Sequence, residues 1–194
     1  MLKEKLRKYT LVLASRSPRR MKLLQQTGIP FRLAIPLDIE EKYPEGLDKF
    51  QIPVFLAEMK SKAYGEIPDS EILVTADTIV WFNNKVIGKP KNVEEAFETL
   101  SLLSGTMHEV ITGVCIRKNF KTTSFFSHSE VYFTKLSPEE ITYYVETCKP
   151  FDKAGGYGIQ EWIGYVGIEK INGSYFNVMG LPVQKLYREL EVFI

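Results

Sequence analysis

Cysteine and histidine are scarce in this sequence, which contains two of each among 194 residues. A disulfide scaffold needs more thiols than Cys115 and Cys148 supply, and unpaired cysteines are typical of a reducing compartment. Cys115 lies in the apolar run GVCI, so we expect it in the core. His108 and His128 occur in strand-like segments without the ligand spacing of a zinc site, and we interpret both as structural.

The sequence also lacks an excess of either charge and any long apolar run. It has 25 lysines and arginines against 24 acidic residues, a net charge of +1. Because nucleic-acid-binding proteins usually carry a basic surplus, we expect no nucleic-acid partner, and nothing favours a membrane surface. No segment reaches the roughly 20 apolar residues of a spanning helix. The first ten residues, MLKEKLRKYT, lack the apolar centre of a secretion signal, so we expect a cytoplasmic protein.

What is present is the composition of an ordinary globular domain, with 44% apolar and 25% charged residues. Strand-like and helix-like segments alternate first, and longer β-hairpins follow. We expect a single domain over 1–194 with a mixed α/β (α+β) fold, in which helices flank a curved mixed β-sheet and two lobes enclose a cleft. The predicted strands are 10–14, 31–35, 71–82, 108–118 and 123–136, and a strand pair is predicted in 164–178 with a turn at Asn172 and Gly173. The strand 71–82 is expected to bend at TADT and to enter a hairpin through Asn83 and Asn84. The predicted helices are 18–27, 52–64, 93–103, 137–147 and 181–192, and Asn92 and Ser137 are the predicted caps of the third and the fourth.

The stretch SRSPRR concentrates hydroxyl groups and positive charge where a strand gives way to a helix. Ser17 is a typical helix cap, and Pro18 suits the first helical position. A helix N-terminus presents free N–H groups and the positive end of the helix dipole, which favour bound anions. Ser17 and Pro18 therefore predict a helix start, at which Arg19 and Arg20 are either solvated or next to a bound phosphate or other anion.

Three further polar clusters interrupt apolar segments: TADT (75–78), GKP (88–90) and DKAGGYGIQ (152–160). A carboxylate such as Asp77 at a buried strand is costly unless it meets a cation, a metal or hydrogen-bond donors. The glycines after Lys153 let the backbone approach a ligand, although the pattern is neither a dinucleotide fingerprint nor a P-loop. Together the sequence supplies cations for phosphates and carboxylates for Mg²⁺ or Mn²⁺. The cations are Arg19, Arg20, Lys60, Lys89 and Lys153, and the carboxylates are Glu40 and Asp77.

At these residues the sequence resembles the Maf family of nucleoside triphosphate pyrophosphatases, once described as septum-formation inhibitors. The stretches LASRSPRR, ADTIV, GKP, LSGTMHEVITGV, DKAGGYGIQ and NVMGLP occur in the family's order across nearly the whole chain. The resemblance implies a fold similar to the inosine-triphosphate pyrophosphatases, with the active site in the cleft. It also implies hydrolysis of the α–β bond of a nucleoside triphosphate to the monophosphate and pyrophosphate, a divalent metal cofactor, and a homodimer.

The resemblance also assigns roles to individual residues. Asp77 would be the catalytic acid or base, and the family's loop glutamate falls at Glu40 or Glu41, of which we favour Glu40. One branch of the family prefers dTTP and UTP over 7-methyl-GTP and carries an arginine, a threonine and a glutamine at three specificity positions. All three are matched here, by Arg19, Thr78 and Gln160. The residues expected to contact the triphosphate are Ser15, Arg20, Lys60 and Lys89.

The sequence departs from the family after Gln160, where many members have a small residue and this chain has Glu161 and Trp162. Their bulk either narrows the base pocket or points away from it. An alternative function also stays open: a non-enzymatic nucleotide-binding regulator of cell division. Such a regulator needs the cations but neither Asp77 nor a metal, so the joint presence of both sets favours an enzyme.

Overall fold

The computed structural model describes residues 1–35 and 37–194 as a series of helices and strands that largely follows the predicted order. The helices are α1 (Leu2–Lys5), α2 (Pro18–Gln26), α3 (Gln51–Ala63), α4 (Val93–Leu103), α5 (Pro138–Cys148), α6 (Trp162–Val166), α7 (Tyr175–Val178) and α8 (Val183–Phe193). The strands are β1 (Thr10–Ala14), β2 (Phe31–Leu33), β3 (Glu71–Phe82), β4 (Lys85–Ile87), β5 (Met107–Lys118), β6 (Lys121–Phe133) and β7 (Ile168–Gly173). None of the helices in these two ranges is long and apolar enough to cross a bilayer.

All the strands of the described residues join one mixed sheet, in the order β2-β1-β3-β5-β6-β7, with β4 paired to β3. Strand β1 runs parallel to both β2 and β3, and Ala14 lies opposite Thr75. The pairs β3–β4 and β6–β7 are antiparallel. The predicted mixed α/β class is confirmed.

The chain divides into two compact units, each with its own buried residues. The first unit comprises Met1–Asp77, Thr112–Ser127 and Gly180–Ile194, and the second comprises Thr78–Ile111 and His128–Met179. In the first, β1 and β3 contribute buried Val12 and Leu73 to one cluster. In the second, α4, α5 and the segment before α6 pack into a larger core. That the whole of 1–194 acts as one domain stays a prediction.

Capping side chains fix the helix starts as the sequence predicts. The Ser17 hydroxyl accepts the N–H of Arg20 at 3.4 Å, and Pro18 occupies the first position of α2. Ser137 and Glu140 form a reciprocal capping box at the start of α5. Asn92 caps α4 by accepting the N–H of Glu95 at 2.8 Å. These local signals were sufficient because each requires only residues within one helical turn.

Two predicted features are wrong. Residues 164–178 are not a strand pair: β7 alone lies between α6 and α7, because Ser174 caps a new helix by accepting the N–H of Asn177. The bend at TADT is absent as well, since β3 continues unbroken through Asp77. Helix α1 was not predicted; its Leu2 is buried and is followed one turn later by buried Leu6.

Candidate functional site

The first group of predicted site residues lies in the first unit, where the parallel strands β1 and β3 lead into the site. Ser15 directly follows β1, and its hydroxyl accepts the N–H of Ser17 at 3.1 Å. Helix α2 begins three residues after Ser15, so its N-terminus stands at the carboxyl end of β1. In sheets with parallel strands this is the edge where ligands bind. The predicted anion-binding helix start therefore occupies a suitable place in the fold.

Asp77, Lys60 and Glu41 form an ion-paired group that we call the acid–lysine cluster. Asp77 is only 6% exposed, and Lys60 Nζ donates to its Oδ1 at 2.6 Å. The same Nζ lies 2.6 Å from Glu41 Oε1. Because both oxygens lie 2.6 Å from the same nitrogen, Asp77 Oδ1 and Glu41 Oε1 are at most twice that distance apart. The cluster meets the requirement that a carboxylate buried in a strand should have a cation.

The fold places Lys60 by fixing helix α3 against the strands of the first unit. Thr75 Oγ1 donates to the carbonyl of Ala57, one turn before Lys60, at 2.6 Å. On β5, a Cβ added to Gly113 would lie 2.2 Å from the carbonyl carbon of Pro53, so the helix backbone rests directly on that strand. Arg117 donates to the carbonyl of Ser61 at 2.8 Å. Regular elements therefore hold Asp77 and Lys60.

The structure distinguishes between the two loop glutamates. Glu40 Oε1 accepts from Lys42 Nζ at 2.6 Å, and both of these side chains are largely exposed. Glu41, and not the favoured Glu40, meets Lys60. The sequence contained the acidic doublet but no signal that separates its two members. A metal-binding role for Glu40 stays a prediction.

Arg20 is bound by backbone carbonyls beside Asp77. Its Nε donates to the carbonyl of Gly180 at 2.6 Å, and one terminal N–H donates to the carbonyl of Ala76 at 2.8 Å. Burial lowers the pKa of Arg20, and the negative charge of Asp77 opposes that shift. The guanidinium therefore joins α2 to the strand that carries Asp77. Its neighbour Arg19 is half-buried at the second position of α2.

The second group of predicted residues lies in the second unit, around residues 152–161, which we call the glycine-rich loop. The N–H of Gly155 donates to the carbonyl of Gly88 at 3.0 Å. Gly155 has a φ of +71°, and a Cβ there would lie 3.0 Å from Val80, so this position requires glycine. The contact brings GKP and the glycine-rich loop together. Lys89 is exposed.

Lys153 and Gln160 lie near the two ends of the glycine-rich loop, and their side chains differ in their polar contacts. Lys153 is buried, with its Nζ 2.7 Å from Asp152 Oδ1 and 3.1 Å from Glu161 Oε1. Gln160 Oε1 is also buried but accepts no hydrogen bond from the part of the chain that the structure describes. Thr78 follows Asp77 along β3, so the two side chains leave the strand on opposite faces.

The departure from the family pattern has a structural explanation. Trp162 is the first residue of α6, and its ring lies edge-on to the ring of Tyr143, with the two centroids 5.0 Å apart. It packs against the hydrophobic core of the second unit. Of the two alternatives for Trp162, the structure favours the one in which the ring turns to the core. Glu161 instead binds Lys153 and Tyr144.

The two histidines have contacts within the second unit. His108 Nε2 lies 2.7 Å from the hydroxyl of Tyr157, and burial lowers the pKa of His108 to about 4, so the ring is neutral at pH 7. His128 Nε2 lies 2.7 Å from Glu109 Oε2. Cys115 is fully buried, as predicted.

Sequence reasoning missed Tyr144 and Arg117, which hold the site without belonging to any motif. Tyr144 binds Glu161 and the backbone of Gly158, and Arg117 binds the end of α3. Both contacts join segments far apart in the sequence. A helix face or a strand end does not reveal such partners, so neither residue had a signal that distinguishes it from an ordinary core or surface residue.

Comparison with known proteins adds a family match and close relatives. A family model described as "Maf-like protein" matches residues 10–193. A Parabacteroides distasonis protein named dTTP/UTP pyrophosphatase is 55% identical over 191 residues, covering 98% of this chain and 99% of its own. A Flavobacterium johnsoniae protein of the same name is 50% identical over 195 residues, covering 100% of both chains.

Solved structures share the fold at low sequence identity. The Ham1 protein of Staphylococcus aureus matches with a TM-score of 0.50 and 14% identity, over 94% of this chain and 98% of its own. A HAM1 protein from Coxiella burnetii matches with a TM-score of 0.51 and 14% identity, over 95% and 99%. At this identity the likeness shows the fold alone.

Proposed function

The chain belongs to the Maf family, and on that premise we propose that it hydrolyses the α–β phosphoanhydride bond of dTTP and UTP, releasing the nucleoside monophosphate and pyrophosphate. Relatives with 50–55% identity over nearly their whole length carry the name dTTP/UTP pyrophosphatase. The observation that carries the proposal is the acid–lysine cluster, in which a buried carboxylate is held at 2.6 Å by a lysine. A protein that only binds nucleotides has no need of such a group.

In the proposed reaction Asp77 takes a proton from the attacking water. The water oxygen forms a bond to the α-phosphorus as the bond from this phosphorus to the α–β bridging oxygen breaks. Pyrophosphate leaves with the electrons of the broken bond. A positioned acid or base of this kind contributes ~10²–10⁴-fold in rate. Lys60 holds the carboxylate in a fixed orientation. Positive groups close to the phosphoryl oxygens stabilise the charge that develops on them.

The proposal includes a divalent cation, and the donor set of the cluster suits one. Mg²⁺ binds one or two carboxylates together with substrate phosphates. Asp77 and Glu41 already share one cation, the ammonium of Lys60, so their oxygens converge on a place suited to positive charge. Among the described residues no group of three or more His, Cys, Asp or Glu side chains could hold a metal, so substrate oxygens would supply the other ligands. A bound cation would neutralise charge on the phosphates.

Base selection is assigned to Gln160 in this proposal. A buried acceptor without a partner is unfavourable by about 1–3 kcal/mol, and a ligand that donates to it recovers this free energy. The N3–H of thymine or uracil is such a donor, and the amide can also donate to a neighbouring carbonyl of the base. Cytosine has no N3–H and should therefore bind less well.

The test is a screen of dTTP, UTP, dCTP and 7-methyl-GTP that measures pyrophosphate release with Mg²⁺ or Mn²⁺. We expect dTTP and UTP to have the highest kcat/KM. We expect 7-methyl-GTP to be at least about tenfold lower, a difference of ~1.4 kcal/mol in transition-state binding. If 7-methyl-GTP equals dTTP, the assignment of Arg19, Thr78 and Gln160 is wrong. Tight nucleotide binding without any pyrophosphate release would instead favour the regulator.

A further inference from the structure

Tyr144 connects helix α5 to the glycine-rich loop through both functions of its hydroxyl. The side chain is fully buried, and its O–H donates to Glu161 Oε2 at 2.5 Å. The same oxygen accepts the backbone N–H of Gly158 at 2.9 Å. Burial raises the pKa of Tyr144, and the Glu161 carboxylate raises it further, so the hydroxyl keeps its proton and acts as the donor. One side chain therefore binds the loop at two points.

The second oxygen of Glu161 continues the connection to the start of the loop. Glu161 Oε1 lies 3.1 Å from Lys153 Nζ, which is also 2.7 Å from Asp152 Oδ1. A buried ammonium is unfavourable unless it is paired, and these two carboxylates supply its partners. We call Tyr144, Lys153 and Glu161 the loop-anchoring network. It binds the glycine-rich loop at its beginning, its middle and its end.

The network also lies close to the side chain that would select the base. A Cβ added to Gly158 would lie 2.7 Å from Glu161 Cδ and 3.0 Å from Gln160 Nε2. The carboxylate and the amide therefore both lie over the same glycine, which has no side chain to separate them. The Glu161 carboxylate and the Gln160 amide therefore lie close to each other.

From these contacts we propose that Tyr144 and Glu161 are positioning residues for base selection, which act by holding the Gln160 amide in place beside Gly158 for recognition of a thymine or uracil. Lys153 acts within the loop-anchoring network and not on the phosphates, because its charge is already neutralised by two carboxylates. This inference rests on the proposed function. It adds residues that lie outside every sequence motif or, like Glu161, depart from the family pattern.

The first test compares Tyr144→Phe and Glu161→Gln with two matched controls. Tyr143→Phe removes a hydroxyl from the neighbouring, exposed tyrosine, and Glu169→Gln removes an exposed carboxylate from β7. For each variant, kcat and KM are measured with dTTP and with dCTP. We expect the dTTP-to-dCTP ratio of kcat/KM to fall at least ~5-fold in the network variants, mainly through a higher KM for dTTP, and to stay unchanged in the controls. An unchanged ratio in both network variants overturns the proposal.

A double-variant cycle tests whether the network acts through Gln160. If Tyr144 only positions the amide, Tyr144→Phe should lower the dTTP-to-dCTP ratio in the wild type but leave it unchanged once Gln160→Ala is present. An equal fall in both backgrounds would mean that the base is selected elsewhere, which contradicts the proposal. A loss of folding cannot imitate this result, because it lowers activity towards both nucleotides together.

Hydrogen exchange of the free protein separates failure of this inference from failure of the proposed function. We expect Tyr144→Phe to raise amide exchange in residues 153–161 by at least ~10-fold, with no change in α3. If the wild type releases no pyrophosphate from dTTP or UTP, the proposed function fails and the base-selection role fails with it. If the wild type is active and exchange does not change, the loop-anchoring network does not hold the loop and the inference alone fails.

Discussion

The acid–lysine cluster and the glycine-rich loop both contain charged groups, but different parts of the structure hold them. In the cluster, Asp77 belongs to a strand and Lys60 to a helix, and contacts of the helix backbone with neighbouring strands fix their separation. In the loop, the backbone has little regular structure, and side chains such as Tyr144 bind it in place. The first arrangement depends on the sheet, and the second depends on a few individual side chains.

This difference suggests that the cluster and the loop have different roles. Bond cleavage tolerates little displacement of the reacting groups, and regular elements hold such groups most rigidly. In the proposed function, base selection depends on the amide of Gln160, whose surroundings can change without altering the strands. We therefore expect changes in the cluster to lower the rate for every nucleotide, and changes around the loop to alter the ranking of nucleotides.

The largest expected effect is that of chelation, which would remove the divalent cation proposed at the cluster. Excess EDTA should abolish pyrophosphate release from every substrate, and added Mg²⁺ or Mn²⁺ should restore it, because the phosphate charge is then neutralised again. As a control for the ligand assignment, Glu41→Gln should need more Mg²⁺ for half-maximal activity than Glu40→Gln. Full activity in chelator would remove the metal from the proposal.

The next effect is that of Asp77→Asn. The variant keeps the size of the side chain, so we expect normal folding by circular dichroism and a loss of ~10²–10⁴-fold in kcat with dTTP and UTP alike. Nucleotide binding should survive in part, since the lysines and arginines remain. Activity close to that of the wild type would mean that the cluster does not perform the chemistry, and the comparison between the two regions would lose its basis.

A third effect concerns the stability of the second unit. It arises at His108, whose buried ring forms a hydrogen bond with Tyr157 of the glycine-rich loop. Burial lowers the pKa of His108 to about 4, below the value of about 6.5 in an unfolded chain. Between these values the unfolded state binds more protons, so the free energy of unfolding falls as the pH falls through this window. Between pH 7 and pH 5 the loss is about 2 kcal/mol.

Urea unfolding of wild type and His108→Gln at both pH values measures this loss. The variant cannot titrate at position 108, so its free energy of unfolding should fall by about 2 kcal/mol less than that of the wild type. Groups common to both proteins cancel in this difference. Parallel pH dependences would show that burial of the imidazole does not govern this stability.

The smallest effect is expected at Lys89, which is exposed beside the glycine-rich loop. Lys89→Ala should raise the KM for dTTP by about tenfold, which corresponds to the loss of one charge-assisted contact to phosphate. The increase should shrink at high salt, because screening weakens such a contact. Lys91→Ala, at an exposed neighbour, is the matched control. If both variants behave alike, Lys89 has no specific role in binding.

The sequence predicted best those features that depend on neighbouring residues. Ser17, Ser137 and Asn92 cap helices through contacts within one turn, and Asn83 and Asn84 adopt the positive φ values of a tight hairpin. Asp77 also stood out, because a charged residue within an apolar strand needs a partner. In each case the physical requirement was visible within a few residues.

The features that the sequence did not reveal depend on partners far along the chain. Glu41 and Glu40 differ only in which of them meets Lys60, and that depends on the path of a loop. Tyr144 resembles any buried residue on an amphipathic helix until its contact with Gly158 is known. The strand pair predicted in 164–178 failed because a serine cap competes with strand formation there.

The glycine at position 113 sets the separation of two groups that it never touches. A methyl group there would fall 2.2 Å from the backbone of Pro53, whereas carbon atoms pack at about 3.5–4.0 Å. Relieving that overlap would lift helix α3 by roughly 1 Å or more and would carry Lys60 with it. The 2.6 Å contact between Lys60 and Asp77 would then stretch beyond an ordinary hydrogen bond. The spacing at the site thus depends on the absence of a side chain about two helical turns away from Lys60.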